Sequence, residues 1–201
     1  MPSAFSIAIT TKKILASAWG SLTEYVFDVK RDDGPSVELK REVYDHGSAA
    51  AILLIDPERH VMTLVRQFRL PAHLNGDDGN MVEVCAGLLD GDAPQTCARK
   101  EAIEETGIAP SRLQFAFEIY ASPGSLSEKI HCFVGFYDET CKAGPGGGLA
   151  EEGEDIEIIE VGFQAALDMI ASGHIIDAKT VALIQYAALR GLLSEPDHQS
   201  D

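Results

Sequence analysis

Three glutamates, Glu101, Glu104 and Glu105, close a helical stretch that ends at Gly107. At about 100° per residue, Glu104 lies about 60° to one side of Glu101 and Glu105 about 40° to the other. Three carboxylates therefore crowd one helix face. They also sit near the helix C-terminus, where the dipole favours cations. A chain selected for stability alone would avoid this, so the segment must either be a solvated acidic helix end or hold a divalent cation. Oxygen ligands suit magnesium, with manganese as the alternative. Asp92 is the expected N-cap, Pro94 fits the first turn, and Gly107 is the expected stop. Ala98 and Ala102 are small enough to let the helix lie close to a sheet.

The rest of the chain has the pattern of a sandwich built on strands. Residues 5–15 and 21–45 alternate apolar and polar side chains, with a turn at Asp32-Asp33-Gly34-Pro35, which predicts an antiparallel hairpin or small sheet. Ala49–Asp56 is nearly all apolar and suits a buried strand. Further strands are expected at His60–Leu70, Met81–Leu89, 113–121, 129–138 and Ile156–Phe163. Pro71–Asn80 reads as a loop, and Gly144–Gly148 as a flexible one. Amphipathic helices are expected at Gln164–Ser172 and Ala178–Leu193, with Gly173 as the stop of the first. The class is mixed α/β. Residues 1–46 form an amino-terminal antiparallel unit, 47–194 the main domain, and 195–201 a tail expected to be disordered.

Charge narrows the partners. The formal net charge is −16 on 201 residues. That field repels nucleic acid and anionic membranes, so neither is expected as a partner. A small phosphorylated substrate is compatible if local cations or metal ions neutralise it. No apolar run reaches the roughly 20 residues that span a bilayer, and the first residues do not read as a secretory leader. Cys85, Cys97, Cys132 and Cys141 lack metal-ligand spacing and read as buried thiols in a cytoplasmic protein.

The stretch AGLLDGDAPQTCARKEAIEETGI (86–108) resembles the signature of the Nudix hydrolase family, G-x5-E-x7-R-E-U-x-E-E-x-G-U with U apolar. Gly87, Glu101, Ala102, Glu104, Glu105, Gly107 and Ile108 match once the spacing is shortened by one. Lys100 stands where the family has Arg, and Asp92 or Ala93 where it has the outer Glu. KREVYDHG (40–47), VRQFR (65–69), CAGLLD (85–90), RKEAIEETG (99–107), SPGSLSEKIH (122–131), GGGLAEEGEDIE (146–157) and AKTV (178–181) extend the likeness to members that hydrolyse GDP-sugars.

The resemblance implies an α/β/α sandwich around a mixed sheet. It implies a magnesium-dependent, dimeric enzyme that converts GDP-mannose to GMP and mannose 1-phosphate. The implied metal ligands are the Ala86 carbonyl, Glu101, Glu105 and Glu154, with Glu152 as a competing choice for the last. Implied substrate contacts are Lys40, Arg41, Glu42, Arg69, Gly87, Leu88, Glu105, Glu128 and Lys179. Trp19 would stack on the guanine from the partner subunit. Glu154 or Glu128 would orient or deprotonate the water, and Glu104 would support the metal cluster. Arg66 is a further candidate for the diphosphate, and His131 is expected to pack on its strand rather than act as a base. An ADP-ribose pyrophosphatase and a non-catalytic nucleotide sensor of the same fold are the alternatives.

Overall fold

The computed structural model describes residues 5–31, 34–149, 151 and 153–193. The expected tail 195–201, the aspartates of the first turn, and Glu152 lie outside the described residues. The chain forms two compact units. One comprises 1–48 with 120–129, and the other 49–119 with 130–201.

The first unit is a three-stranded antiparallel sheet in the order β1 (Phe5–Ser17), β2 (Ser21–Arg31) and β3 (Val37–Asp45). The alternating stretches of the sequence form it with the expected extent. Register shifts fall between Ile9 and Thr11 and between Ile14 and Ala16, so β1 bends as it runs along β2. The segment 120–129 attaches here: Tyr44 N donates to Ser125 O at 2.8 Å and Ser127 N to Tyr44 O at 3.1 Å.

The second unit is built on a mixed sheet. Its strands are β4 (Ala49–Asp56), β5 (Val61–Phe68), β6 (Asn80–Glu83), β7 (Cys85–Leu88), β8 (Arg112–Tyr120), β9 (Lys129–Phe136) and β10 (Glu157–Gly162). The order is β10-β5-β4-β9-β8, with β6 against β5 and β7 against β4. Parallel pairing of β4 with β9 places β4 at the centre, and all eight of its residues are buried. That explains its continuous apolar composition.

β4 and β5 pair only over Leu54–Asp56 and then splay. The segment Asn80–Leu88 wedges into the gap, pairing first with β5 and then with β4. The single strand expected at Met81–Leu89 is therefore two, divided at Val84, where the chain changes partner. Val84 N donates to Thr180 Oγ1 at 2.8 Å, so the crossing point is tied to the last helix.

Helices cover both faces. Alternate β4 residues Ala50, Ile52 and Leu54 meet Cys97, Ala98 and Ala102 of α2 (Pro94–Thr106). The other set, Ala49, Ala51, Leu53 and Ile55, packs with Phe163 and Ala166 of α3 (Phe163–Ala171) and Leu183, Ile184 and Ala187 of α4 (Ala178–Leu189). This is the expected α/β/α sandwich. A short helix, α1 (Leu70–Leu74), occupies part of the stretch read as loop, with Pro71 in its first turn.

Candidate active site

α2 sets the site. Its N-cap is Ala93 rather than Asp92, and no side chain caps it. Pro94 opens the helix, which removes one unsatisfied donor. Gly107 ends it in the left-handed region. The last turn is then covered by the Gly-rich segment. Gly147 N donates to Glu105 O at 2.9 Å, Gly148 N to Glu104 O at 3.1 Å, and Ala143 N to Gly107 O at 2.7 Å. Gly146, Gly147 and Gly148 all have positive φ, so only glycine follows this path without strain. The segment expected to be a flexible loop is thus docked on the helix end, where it satisfies carbonyls that α2 leaves open.

That docking brings the late acid toward the helix acids. Glu105 is 1% exposed, and its Oε2 has no hydrogen-bond partner among the described residues. Burial pushes its carboxyl up to about 8, and the charges of Glu101 and Glu154 add to the effect. The Cys85 thiol and Arg69 act in the other direction. Glu101 lies against the wedge: a Cβ on Gly87 would run into its carboxyl group, so a side chain there would push this carboxylate away from the Ala86–Leu88 backbone. Cys97 Sγ donates to Leu88 O at 3.3 Å and pins helix to wedge. Lys100 pairs with Glu104 at 3.7 Å. Arg99 Nη1, donating to Pro110 O at 2.6 Å, braces α2 against the chain that follows it.

Among the described residues no three acidic, His or Cys side chains are drawn tightly enough to enclose an ion in this conformation. Glu154 is turned into its own loop, where Oε2 accepts from Leu149 N at 2.9 Å. The donor set nevertheless fits a hard divalent cation. It offers a buried carboxylate with an unpartnered oxygen, two further carboxylates that raise its affinity for positive charge, and a strand carbonyl. The residues that would hold the ion are Ala86, Glu101, Glu105 and Glu154.

On the same unit lies a cation pair. Arg69 donates to Glu83 from Nε at 2.8 Å and from Nη2 at 3.1 Å. Lys179 donates to the same carboxylate and, at 2.9 Å, to Asp177 Oδ1. Asp177 also caps α4 through Thr180 N at 2.9 Å. Burial opposes the charge on Arg69, yet Glu83, with help from Glu105 and Asp177, outweighs it and holds the guanidinium basic. The same competition, burial against two cations, leaves Glu83 below its ordinary value. Arg69 and Glu105 sense one another's charge, so this guanidinium lies within electrostatic range of the acid cluster.

Sequence reasoning missed Glu83 and Asp177. The available signal was a charged residue inside the apolar strand MVEVCAG. Arg66, weighed for the diphosphate, pairs with Glu157 at 2.7 Å across β5 and β10. His131, on β9, has its Nδ1 3.0 Å from Glu118 Oε1 on the neighbouring strand β8. All four cysteines are free and buried, and burial raises Cys85, Cys97 and Cys132 well above the ordinary thiol range.

The first unit carries the remaining candidates. Trp19 is 73% exposed and stacks on His46 with ring centroids 4.9 Å apart and planes 19° apart. Lys40 pairs with Glu24, and Arg41 Nη1 donates to Lys40 O at 2.7 Å. Glu42 faces Glu24 in the β2–β3 register. Glu128 closes the 120–129 segment, its carbonyl accepting from Ala121 N at 3.3 Å.

Comparison with known proteins agrees with this division. Residues 6–44 match the family model described as the GDP-mannose pyrophosphatase NudK N-terminal domain, and residues 45–182 match the NUDIX domain. The GDP-mannose pyrophosphatase of Cronobacter sakazakii is 45% identical over 189 residues, covering 94% of this chain and 98% of that protein. The GDP-mannose pyrophosphatase of Pectobacterium atrosepticum is 46% identical over 186 residues, covering 92% of this chain and 95% of that protein. The crystal structure of an ADP compounds hydrolase shares the fold with a TM-score of 0.69 at 16% identity, covering 92% of this chain and 94% of that one. A carboxylate cluster around the buried Glu105 on a Gly-ended helix, both domain matches and relatives aligned almost end to end place this chain in the Nudix hydrolase family.

Proposed function

We propose that this protein hydrolyses the diphosphate of a GDP-sugar, converting GDP-mannose and water to GMP and mannose 1-phosphate. The observation that carries the reading is Glu105: a buried carboxylate with an unpartnered oxygen, set between the acids Glu101 and Glu154 and the Arg69 cation. A diphosphate needs both kinds of partner. The aligned relatives named GDP-mannose pyrophosphatase support the choice of sugar nucleotide.

Magnesium, held by Ala86, Glu101, Glu105 and Glu154, would neutralise the diphosphate and acidify a water. Arg69 and Lys179 bind phosphate oxygens, Arg69 as a planar donor and Lys179 as a point charge. Gly87 and Leu88 offer backbone to the substrate. Glu154 or Glu128 orients the attacking water and accepts its proton. Glu104 supports the cluster from the neighbouring helix position. Lys40, Arg41 and Glu42 face the nucleotide, and Trp19 stacks on guanine from the partner subunit of a homodimer. The cytoplasm is the compartment that suits its four free, buried cysteines.

A panel of GDP-mannose, GDP-glucose, ADP-ribose and NADH at fixed magnesium tests this, with products separated by chromatography. The expected result is a kcat/KM for GDP-mannose at least tenfold above that for ADP-ribose. Faster release of AMP than of GMP overturns the substrate assignment. Tight binding of nucleotide without hydrolysis overturns the enzyme assignment.

A further inference from the structure

Glu83 is an expensive residue for the buried end of a short strand. It is 2% exposed on β6, in the middle of an otherwise apolar segment. A buried carboxylate is tolerated only when its charge is matched and its oxygens are satisfied. Glu83 meets both conditions. Arg69 occupies Oε1 and Oε2 as a fork, and Lys179 donates to Oε2 as well. Asp177 restrains Lys179 from its other side. Neither acid belongs to the metal-binding set.

The arrangement leaves part of Arg69 open. Its side chain is 42% exposed, and Glu83 takes Nε and Nη2 but not Nη1. The chain has 32 acidic residues against 16 basic ones, so an unanchored guanidinium beside the Glu101–Glu105 cluster has many rival partners. Glu83 fixes which partner it takes and in which plane. Ordering a long cation before the ligand arrives removes a cost that binding would otherwise bear.

We propose that Glu83 is a positioning residue for substrate binding, holding the Arg69 guanidinium and the Lys179 ammonium so that both meet the phosphates already ordered, with Asp177 as its helper on Lys179. The inference rests on the reading of this site as a diphosphate hydrolase. It differs from a structural role in its kinetic signature. Loss of a pre-ordered contact made equally in ground and transition states raises KM and spares kcat.

The test is steady-state kinetics on GDP-mannose at saturating magnesium for the wild type, Glu83→Gln, Glu83→Asp, Asp177→Asn, Arg69→Ala and Glu83→Gln combined with Arg69→Ala. Circular dichroism melts verify folding. Glu83→Gln is expected to raise KM about tenfold or more with kcat within threefold of wild type. Glu83→Asp, which keeps the charge but shortens the fork, should fall between the two. Asp177→Asn retains an N-cap acceptor and should raise KM about threefold. In the Arg69→Ala background, most of the Glu83→Gln effect should vanish, since both remove the same contact.

A KM within twofold of wild type in Glu83→Gln, beside a tenfold rise in Arg69→Ala, overturns the positioning role and leaves the substrate reading intact. An unchanged KM in Arg69→Ala overturns it from the other side, because the cations then do not touch substrate. A wild type that ignores GDP-mannose shows the failure upstream, in the function itself. Should Glu83→Gln not fold, an unchanged KM in Asp177→Asn decides against the proposal.

Discussion

Glu105 shows how one residue can be a defect of the fold and the centre of the site. Its carboxyl is pushed up from an ordinary 4.5 to about 8, chiefly by burial and then by Glu101. The folded state therefore holds the proton more tightly than the unfolded one. That contribution to stability is fully present below about pH 4.5 and is lost as pH rises through about 8. At 1.36 kcal/mol per unit the loss is at most roughly 5 kcal/mol. Glu105→Gln removes the titration while keeping the shape. In EDTA its Tm should exceed that of wild type at pH 8.5 and differ little at pH 5. Magnesium should no longer raise the Tm, and turnover should fall by about a thousandfold. Differential scanning fluorimetry at both pH values, beside an activity assay, checks this. A Tm that still rises with magnesium would remove Glu105 from the metal site. The competing signs of the neighbouring groups matter here: Glu83, equally buried, is held low by two cations, whereas Glu105 has two anions against one cation.

At the scale of elements, local signals were legible and pairings were not. Pro94, Gly107 and Gly173 marked helix ends because the backbone conformation at each depends on one residue's own chemistry. The alternation of β1 to β3 and the apolar run of β4 were equally plain. Asp92 failed as a cap because the capping position falls one residue later, at Ala93. The split at Val84 was invisible because an alternating strand looks the same whether it keeps one partner or exchanges it. Glu83 and Lys179 are 96 positions apart, so nothing local announces their contact. The acid cluster was legible in part because a helix places Glu101 and Glu105 together by periodicity alone, but Glu154 comes within charge range of Glu105 only through the docked glycine segment.

That segment yields a prediction at its own scale. Gly148 has φ +79°, and an added Cβ would stand 2.7 Å from Glu154 Oε2. Gly148→Ala should cost about 1–2 kcal/mol from the left-handed backbone alone. It should also displace the loop acid, lowering kcat about tenfold or more with a smaller change in KM. Thermal melts and steady-state kinetics measure the two effects separately. A stable variant with normal kcat would mean that Glu154 does not depend on the seating of this loop.

For the whole molecule, the amino-terminal sheet raises the question of its own cover. β1 is exposed along its full length, and it presents Phe5, Ile7 and Ile9, then Ile14 beyond the first register shift. It pairs with β2 on one side only. A long apolar edge strand left open invites pairing with another chain. In the homodimer proposed above, a second copy covers it. Ile7→Lys combined with Ile9→Lys should convert the dimer to a monomer in sedimentation velocity at micromolar concentration. It should also lower kcat/KM for GDP-mannose if Trp19 is delivered across that contact. Wild type sedimenting as a monomer would refute the dimer.

The wedge of β6 and β7 has one more consequence. Glu83, which seats the cations, and Ala86, whose carbonyl would face the metal, lie three residues apart on one extended segment. At about 3.3 Å per residue their separation is roughly 10 Å. The backbone clamped between two splayed strands would thus serve as a ruler, setting the distance between the two ends of the proposed anion-binding site. Its gradations are single residues with strict parity. Adding or deleting one residue would swap the faces of every side chain beyond it, so the length of this segment is as much a part of the site's chemistry as the identity of any glutamate in it.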